Sequence, residues 1–169
     1  MTRVGVVLAM LALGAGGAAA QAESDVASID GIVAALYGSI SGPAGDRDWD
    51  RFHSLFLPDA ILLNAGPRPD TVAPTPVSPE GYRERTAPFF AENPFYETEI
   101  ARTTHRYGRV AQLWSTYESR RELEGAPVSR GINSIVLVRD GGRWWVASIV
   151  WDFERPDSPI PEAYLPGGG

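Results

Sequence analysis

Cysteine is absent from the 169 residues, and so is lysine: all 15 basic side chains are arginine, and histidine occurs only twice. Without cysteine there is no disulfide, no thiol nucleophile and no thiolate ligand for a metal. The two histidines, His53 and His105, have no compact pattern of carboxylate partners, so no metal site is expected. No motif calls for a cofactor. Positive charge is also scarce, with 15 basic against 21 acidic residues and a formal net charge of −6. Such a surface repels phosphate backbones and anionic lipid, which disfavours nucleic-acid and membrane-surface roles. Beyond the N-terminus no apolar run approaches the roughly 20 residues that a membrane span requires.

What is present begins with a leader-like segment. Met1–Arg3 supplies a short positive region, Val4–Ala15 is an unbroken small and apolar run, and Gly16, Gly17 and Ala18–Ala20 follow. Small residues at −3 and −1 fit a signal-peptidase site after Ala20 or after Ala22. The run is too short for an anchor, so residues 1–22 are expected to be a cleaved signal peptide. The mature chain is then exported to the periplasm or beyond, with no membrane attachment. It would carry 14 arginines against 21 acidic residues, a net of −7, because Arg3 is the only charged residue removed. Residues 23–155 are long enough for one domain with a real core. Residues 156–169, rich in proline and glycine, read as a tail.

The mature chain opens on helices. Ser24 is expected to cap a helix carrying the stripe Ile29, Ile32, Val33, Leu36, Tyr37 and Ile40, ended by Gly42-Pro43. A second, shorter helix is expected over 46–56 with Trp49, Phe52 and Phe56 on one face, followed by a short strand at 60–64. Residues 66–79 hold five prolines and cannot pair as a central strand; a lid and a stiff connector both fit. Ser78 and Pro79 then start a third helix with Tyr82, Thr86, Phe89 and Phe90 on one face, ending near Asn93-Pro94.

From Phe95 onward the chain becomes β. Four strands, 95–107, 111–123, 131–138 and 144–153, are separated by turns containing Gly108, Gly125 and Gly141-Gly142. The fold class is therefore α+β, with three N-terminal helices packed on a curved antiparallel sheet. Regular alternation puts Ile132, Val136 and Val138 opposite Ile135 and Leu137. It likewise puts Trp144, Val146 and Val150 opposite Trp145, Ile149 and Trp151. Both faces are apolar, so both are expected to be covered, one by the helices and the other by a second subunit in a homodimer.

The phrase "LFLPDAILLN" at the end of the second helix and the closing "GGRWWVASIVWDF" resemble the nuclear transport factor 2-like superfamily over about residues 25–155. The longer stretch from Arg130 to Leu165 is similar to an uncharacterised exported subgroup. The superfamily includes ketosteroid isomerases, scytalone dehydratases and SnoaL-like polyketide cyclases. The resemblance implies a cone built from a curved sheet wrapped around the long first helix, with a pocket at its open end. It also implies a carboxylate base near the end of the first strand in an isomerase, and histidines with a tyrosine-bound water in a dehydratase. Here Asn64 occupies the base position, and asparagine accepts no proton at neutral pH; the nearest carboxylates are Asp59 and Asp70.

Candidate site residues are those with polar groups inside apolar patterns. His53 shares a helix face with Trp49, Phe52 and Phe56, where a satisfied core histidine is the commoner outcome. Tyr117, Asn133 and Trp151 lie mid-strand. Asn133 is the most informative, because asparagine is disfavoured in strands and needs a specific partner, whether a ligand or the backbone. Arg130 and Asp152 would pair across the final hairpin if its loop holds three residues, and would be misaligned by two. No catalytic residue is assigned. Two functions remain open: a pocket protein that binds or transforms a small, largely apolar molecule, with isomerase-, dehydratase- or cyclase-type chemistry; or a non-catalytic dimeric interaction module whose cone is filled by its own side chains. An open cavity reached by Asn133 or Tyr117 would favour the first.

Overall fold

The computed structural model describes residues 13–67 and 73–168. Most of the expected leader, residues 1–12, and part of the proline-rich loop, including Pro69 and Asp70, lie outside that range.

Helix α1, Leu13–Ala27, runs through both expected cleavage positions; Ala20 and Ala22 are exposed on it. Helix α2, Ile29–Ile40, follows after a break at Ser28. Ser28 is extended (φ −136°, ψ 164°), and its Oγ accepts the Gly31 N–H at 2.9 Å. The cap is thus Ser28, not Ser24. The alanine-rich segment upstream is a strong helix former that carries Ser24 inside α1, where its hydroxyl donates to the Gln21 carbonyl. The apolar stripe holds: Ile32, Val33, Leu36, Tyr37 and Ile40 are all buried.

Helix α3 spans only Trp49–Ser54, capped by the Asp48 carboxylate. It stops short of the expected 56 because Phe56 begins strand β1, Phe56–Asn64, alongside Val146. Two arginines fasten the helices. Arg47, nearly buried, donates to the carbonyls of Ile40, Gly42, Pro43 and Gly45 and so closes the turn after α2. Arg51 pairs with Asp25 through two hydrogen bonds, of 2.7 and 2.9 Å, tying α3 to α1. Helix α4, Pro79–Glu92, starts at the expected Ser78 cap and ends at Asn93.

Strands β2 (Tyr96–Tyr107), β3 (Val110–Arg120), β4 (Ser129–Asp140) and β5 (Arg143–Phe153) form the expected meander. The sheet order is β1-β5-β4-β3-β2; β1 joins the edge parallel to β5, and the other pairs are antiparallel. The Asp140–Arg143 hairpin has a two-residue loop, Gly141-Gly142, with both glycines at positive φ (58° and 84°), as a tight turn of this kind requires.

The alternation in β5 is not regular. A bulge near Ala147 shifts the pairing between Val136 and Leu137, so Trp144 and Val146 share the helix-facing side with Ile149 and Trp151. The expected sets, with Val150 beside Trp144, are corrected by that one extra residue. The same register places Ile132 opposite Asp152 and lets Arg130 donate to Glu154, while Asp152 pairs with Arg155. The Arg130–Asp152 pair does not form.

On the helix-facing side Asn133, Ile135 and Leu137 of β4 complete the core with Ala111, Leu113 and Tyr117 of β3. On the opposite side part of the cover comes from the chain itself. The short 3-10 turn Glu162–Tyr164 lies on β3, where the Tyr164 carbonyl accepts from Thr116 and its ring meets Trp114.

Candidate functional site

Between α2, α4 and the concave face of the sheet lies a cavity of about 330 Å³. Its walls are mainly apolar: Leu36, Ile40, Phe52, Leu62, Phe90, Phe95, Ile149 and Trp151. Arg85, Phe89 and Phe153 are its exposed members and mark the mouth. Helix α4 closes one side, because Tyr82, Thr86, Phe89 and Phe90 recur on its inward face as the sequence suggested.

Of the residues singled out from sequence, Tyr117, Asn133 and Trp151 line the cavity. His53 does not. It is half-buried on the outer side of α3, with its Nε2 3.1 Å from Glu80 Oε2. Asn64 reaches the wall, and its Oδ1 accepts the Gly66 N–H at 2.8 Å. Asp59 is exposed and is not among the lining residues.

Asn133 belongs to a buried relay. Its Nδ2 donates to the Tyr37 hydroxyl at 3.0 Å; Tyr37 and Ser115 are 2.8 Å apart; Ser115 donates to Glu99 Oε1 at 2.6 Å. Because the Ser115 proton goes to Glu99, the Tyr37 proton goes to Ser115, and the Tyr37 oxygen takes the Asn133 amide. The chain Asn133–Tyr37–Ser115–Glu99 therefore runs one way, toward a carboxylate, which leaves Asn133 Oδ1 outside the relay. Burial pushes the Glu99 carboxyl up, opposed by the Ser115 hydrogen bond and Arg102.

The carboxylate that matters most was not legible as such. Glu97, on β2, lines the cavity wall. Desolvation pushes its carboxyl up to about 8, so it is mostly protonated at neutral pH. Its backbone is pinned: its N–H donates to Ser41 Oγ at 2.9 Å, and its carbonyl accepts from the same hydroxyl. Its carboxyl makes no hydrogen bond among the described residues. Burial, followed by the nearby Glu97 carboxyl, raises the Tyr82 and Tyr117 hydroxyls far above their ordinary range; Tyr37 is raised by the same two causes. Neither Tyr82 nor Tyr117 has a hydroxyl hydrogen bond among the described residues. Tyr117 lies flat over Gly131, its Cα partner on β4, where a Cβ would stand 2.5 Å from the hydroxyl and 2.4 Å from the Asp152 carbonyl. Glycine there is what admits the ring.

The segment "YETEI" hid Glu97, since a polar residue at every second position of an edge strand normally marks a solvent face. Here Glu97 and Glu99 point the same way as Tyr117 and Ser119, inward. Tyr37 and Glu97 also border a second hollow of about 530 Å³ on the far side of α2, with Asp30, Val33, Glu99 and Arg102.

No protein-family model matches the sequence, and no curated protein does. Solved structures do. A nuclear transport factor 2-like protein of unknown function from Pseudomonas putida superposes with a TM-score of 0.58 at 15% identity, covering 83% of this chain and 92% of its own. A protein of unknown function with a cystatin-like fold from Nostoc punctiforme gives 0.59 at 11% identity, with 79% and 92% covered. A ketosteroid isomerase candidate from Parabacteroides distasonis gives 0.53 at 14% identity, with 76% and 90% covered. The chain has the nuclear transport factor 2-like fold.

Proposed function

We propose that this chain is an exported pocket protein that takes up one small, largely apolar molecule, holding its polar group against Glu97, Tyr82, Tyr117 and Asn133. The observation that carries this reading is the open, apolar cavity with a carboxyl in its wall that no side chain satisfies. A cone serving only as scaffold would fill that space with its own aromatic rings, because interiors pack densely and unpaired buried polar groups are costly. A carboxyl near neutrality also suits proton transfer of the isomerase or dehydratase type. The base would then be Glu97 on β2 rather than a residue at the Asn64 position.

Export and pairing complete the proposal. A leader ending at Ala20 or Ala22 would leave the Asp25–Arg51 pair intact in the mature chain. The outer sheet face carries half-buried Val136, Val138, Trp145 and Val150 beside exposed Trp114 and Val110, which supports a homodimer.

The test is a thermal-shift screen of apolar small molecules, with mass spectrometry of whatever co-purifies. A ligand at 100 times its Kd should add about 2.7 kcal/mol of stability, and Trp151→Ala or Tyr117→Ala should abolish the response. A screen with no responder, on protein that purifies without a bound molecule, would return the fold to the interaction-module reading.

A further inference from the structure

We infer that the cavity selects an organic cation, a protonated amine on a compact apolar or aromatic body, with Glu97 as its counter-ion. The inference rests on the pocket reading above and deepens it.

Three independent observations converge. The first is the unpaired carboxyl. Glu97 faces the cavity, and its carboxyl makes no ion pair or hydrogen bond among the described residues. Unpaired in the empty cavity, that carboxyl stays a neutral acid, and it becomes a tolerated charge only when the ligand brings a cation. The one cation among the lining residues, Arg85, is exposed at the mouth, where solvent screens it.

The second is the direction of the buried relay. Since Asn133 gives an amide proton to Tyr37, and the chain drains through Ser115 to Glu99, Asn133 turns its carbonyl oxygen away from the relay. That oxygen makes no hydrogen bond among the described residues. The Tyr82 and Tyr117 oxygens, likewise without partners there, can accept as well. The polar part of the wall is thus rich in acceptors. An ammonium group carries only donors: it meets Asn133 Oδ1, which a carbonyl or carboxylate ligand would leave unpaired, and the tyrosine oxygens accept as readily as they donate.

The third is the nature of the surrounding wall. Rings of Tyr37, Tyr82, Phe90, Phe95 and Trp151 line the space, and aromatic faces attract cations. The chain's net charge of −6 favours the approach of the same ligand class.

Binding then has a proton signature. The empty site holds Glu97 protonated at neutral pH, and an ammonium ligand requires the carboxylate, so each binding event releases a proton. The probes are 2-phenylethylamine and its neutral counterpart 2-phenylethanol, titrated calorimetrically in two buffers of different ionisation heat. The expected results are proton release near one per amine bound at pH 6.5 and tighter amine binding by about tenfold per pH unit between 6 and 7, levelling above 8. Glu97→Gln should weaken the amine by at least about tenfold more than it weakens the alcohol. Retained alcohol binding, with a thermal unfolding midpoint no lower than the wild type's, shows that the variant is folded with its cavity intact. Alcohol binding equal to or tighter than amine binding, or an amine affinity indifferent to Glu97→Gln, overturns the cation inference while the pocket reading stands. A cavity that takes neither these probes nor any other apolar molecule overturns both.

Discussion

Glu97 alone should leave a mark on the stability of the empty protein. Its folded-state value of about 8 lies above the ordinary 4.5, so the native state holds a proton that the unfolded chain releases. The linkage runs against the usual carboxylate: stability is highest in mild acid and falls as pH rises from about 5 to about 8, with a slope approaching 1.4 kcal/mol per unit. Asp25, Asp152 and Glu154 are lowered by their arginine partners, Arg51, Arg155 and Arg130, so they contribute stability that is lost only on acidification. The two trends separate by pH. Urea denaturation of the wild type should show the fall between pH 5 and 8, and Glu97→Gln should make it shallower, leaving the part that Glu99, also raised by burial, contributes. A wild-type curve already flat over that range would place Glu97 in contact with water. At this scale the sequence disclosed residues whose chemistry conflicts with their pattern, such as Asn133 in an apolar strand. It concealed Glu97, whose alternation with Glu99 imitates a solvent face.

At the level of elements, most of the architecture was legible because it rests on local chemistry. The Ser78-Pro79 start of α4, the α2 stripe and the Gly141-Gly142 turn all stand where their residues require them. What escaped was non-local. The bulge near Ala147 carries no sequence mark, yet it decides which β5 side chains enter the core. Threonine substitution on either side of it tests the assignment, since threonine keeps β-branching and adds one hydroxyl. Ile149→Thr should cost roughly 2–4 kcal/mol, because Ile149 is buried against the helices. Val150→Thr should cost under about 1 kcal/mol. Chemical denaturation midpoints check both, and regular alternation would reverse their order. The parallel placement of β1 was equally invisible, because nothing within residues 56–64 names β5 as a neighbour.

For the molecule as a whole, the two adjacent tryptophans of the last hairpin are opposite tests of one surface. Trp144 is 2% exposed in the core, whereas Trp145 turns outward beneath the Arg143 guanidinium, 3.6 Å from its ring centre. Trp144→Glu should fail to fold, because it removes a large indole from the core and puts a charge in its place. Trp145→Glu should fold, and light scattering should report a dimer for the wild type and a monomer for the variant. A folded Trp145→Glu dimer would move the interface elsewhere. The tail shows why one surface cannot be read from alternation alone: it shields Thr116 and Trp114, a cover that only the three-dimensional path of the chain reveals.

The position of β5 between β1 and β4 also sets an order in time. One flank of this strand is contributed nearly ninety residues earlier, as in the pairing of Leu62 with Ile149. The β4 flank closes across the two-residue Gly141-Gly142 turn, but the long loop must close before the β1 flank is rewarded, and folding dominated by such distant pairs is slow, on the order of milliseconds to seconds. A nascent chain that lacks its last strand has an α2 with no complete sheet to pack against. It therefore stays unfolded until nearly all of it has been made, and a chain in that condition is one that can still be threaded through a translocation channel.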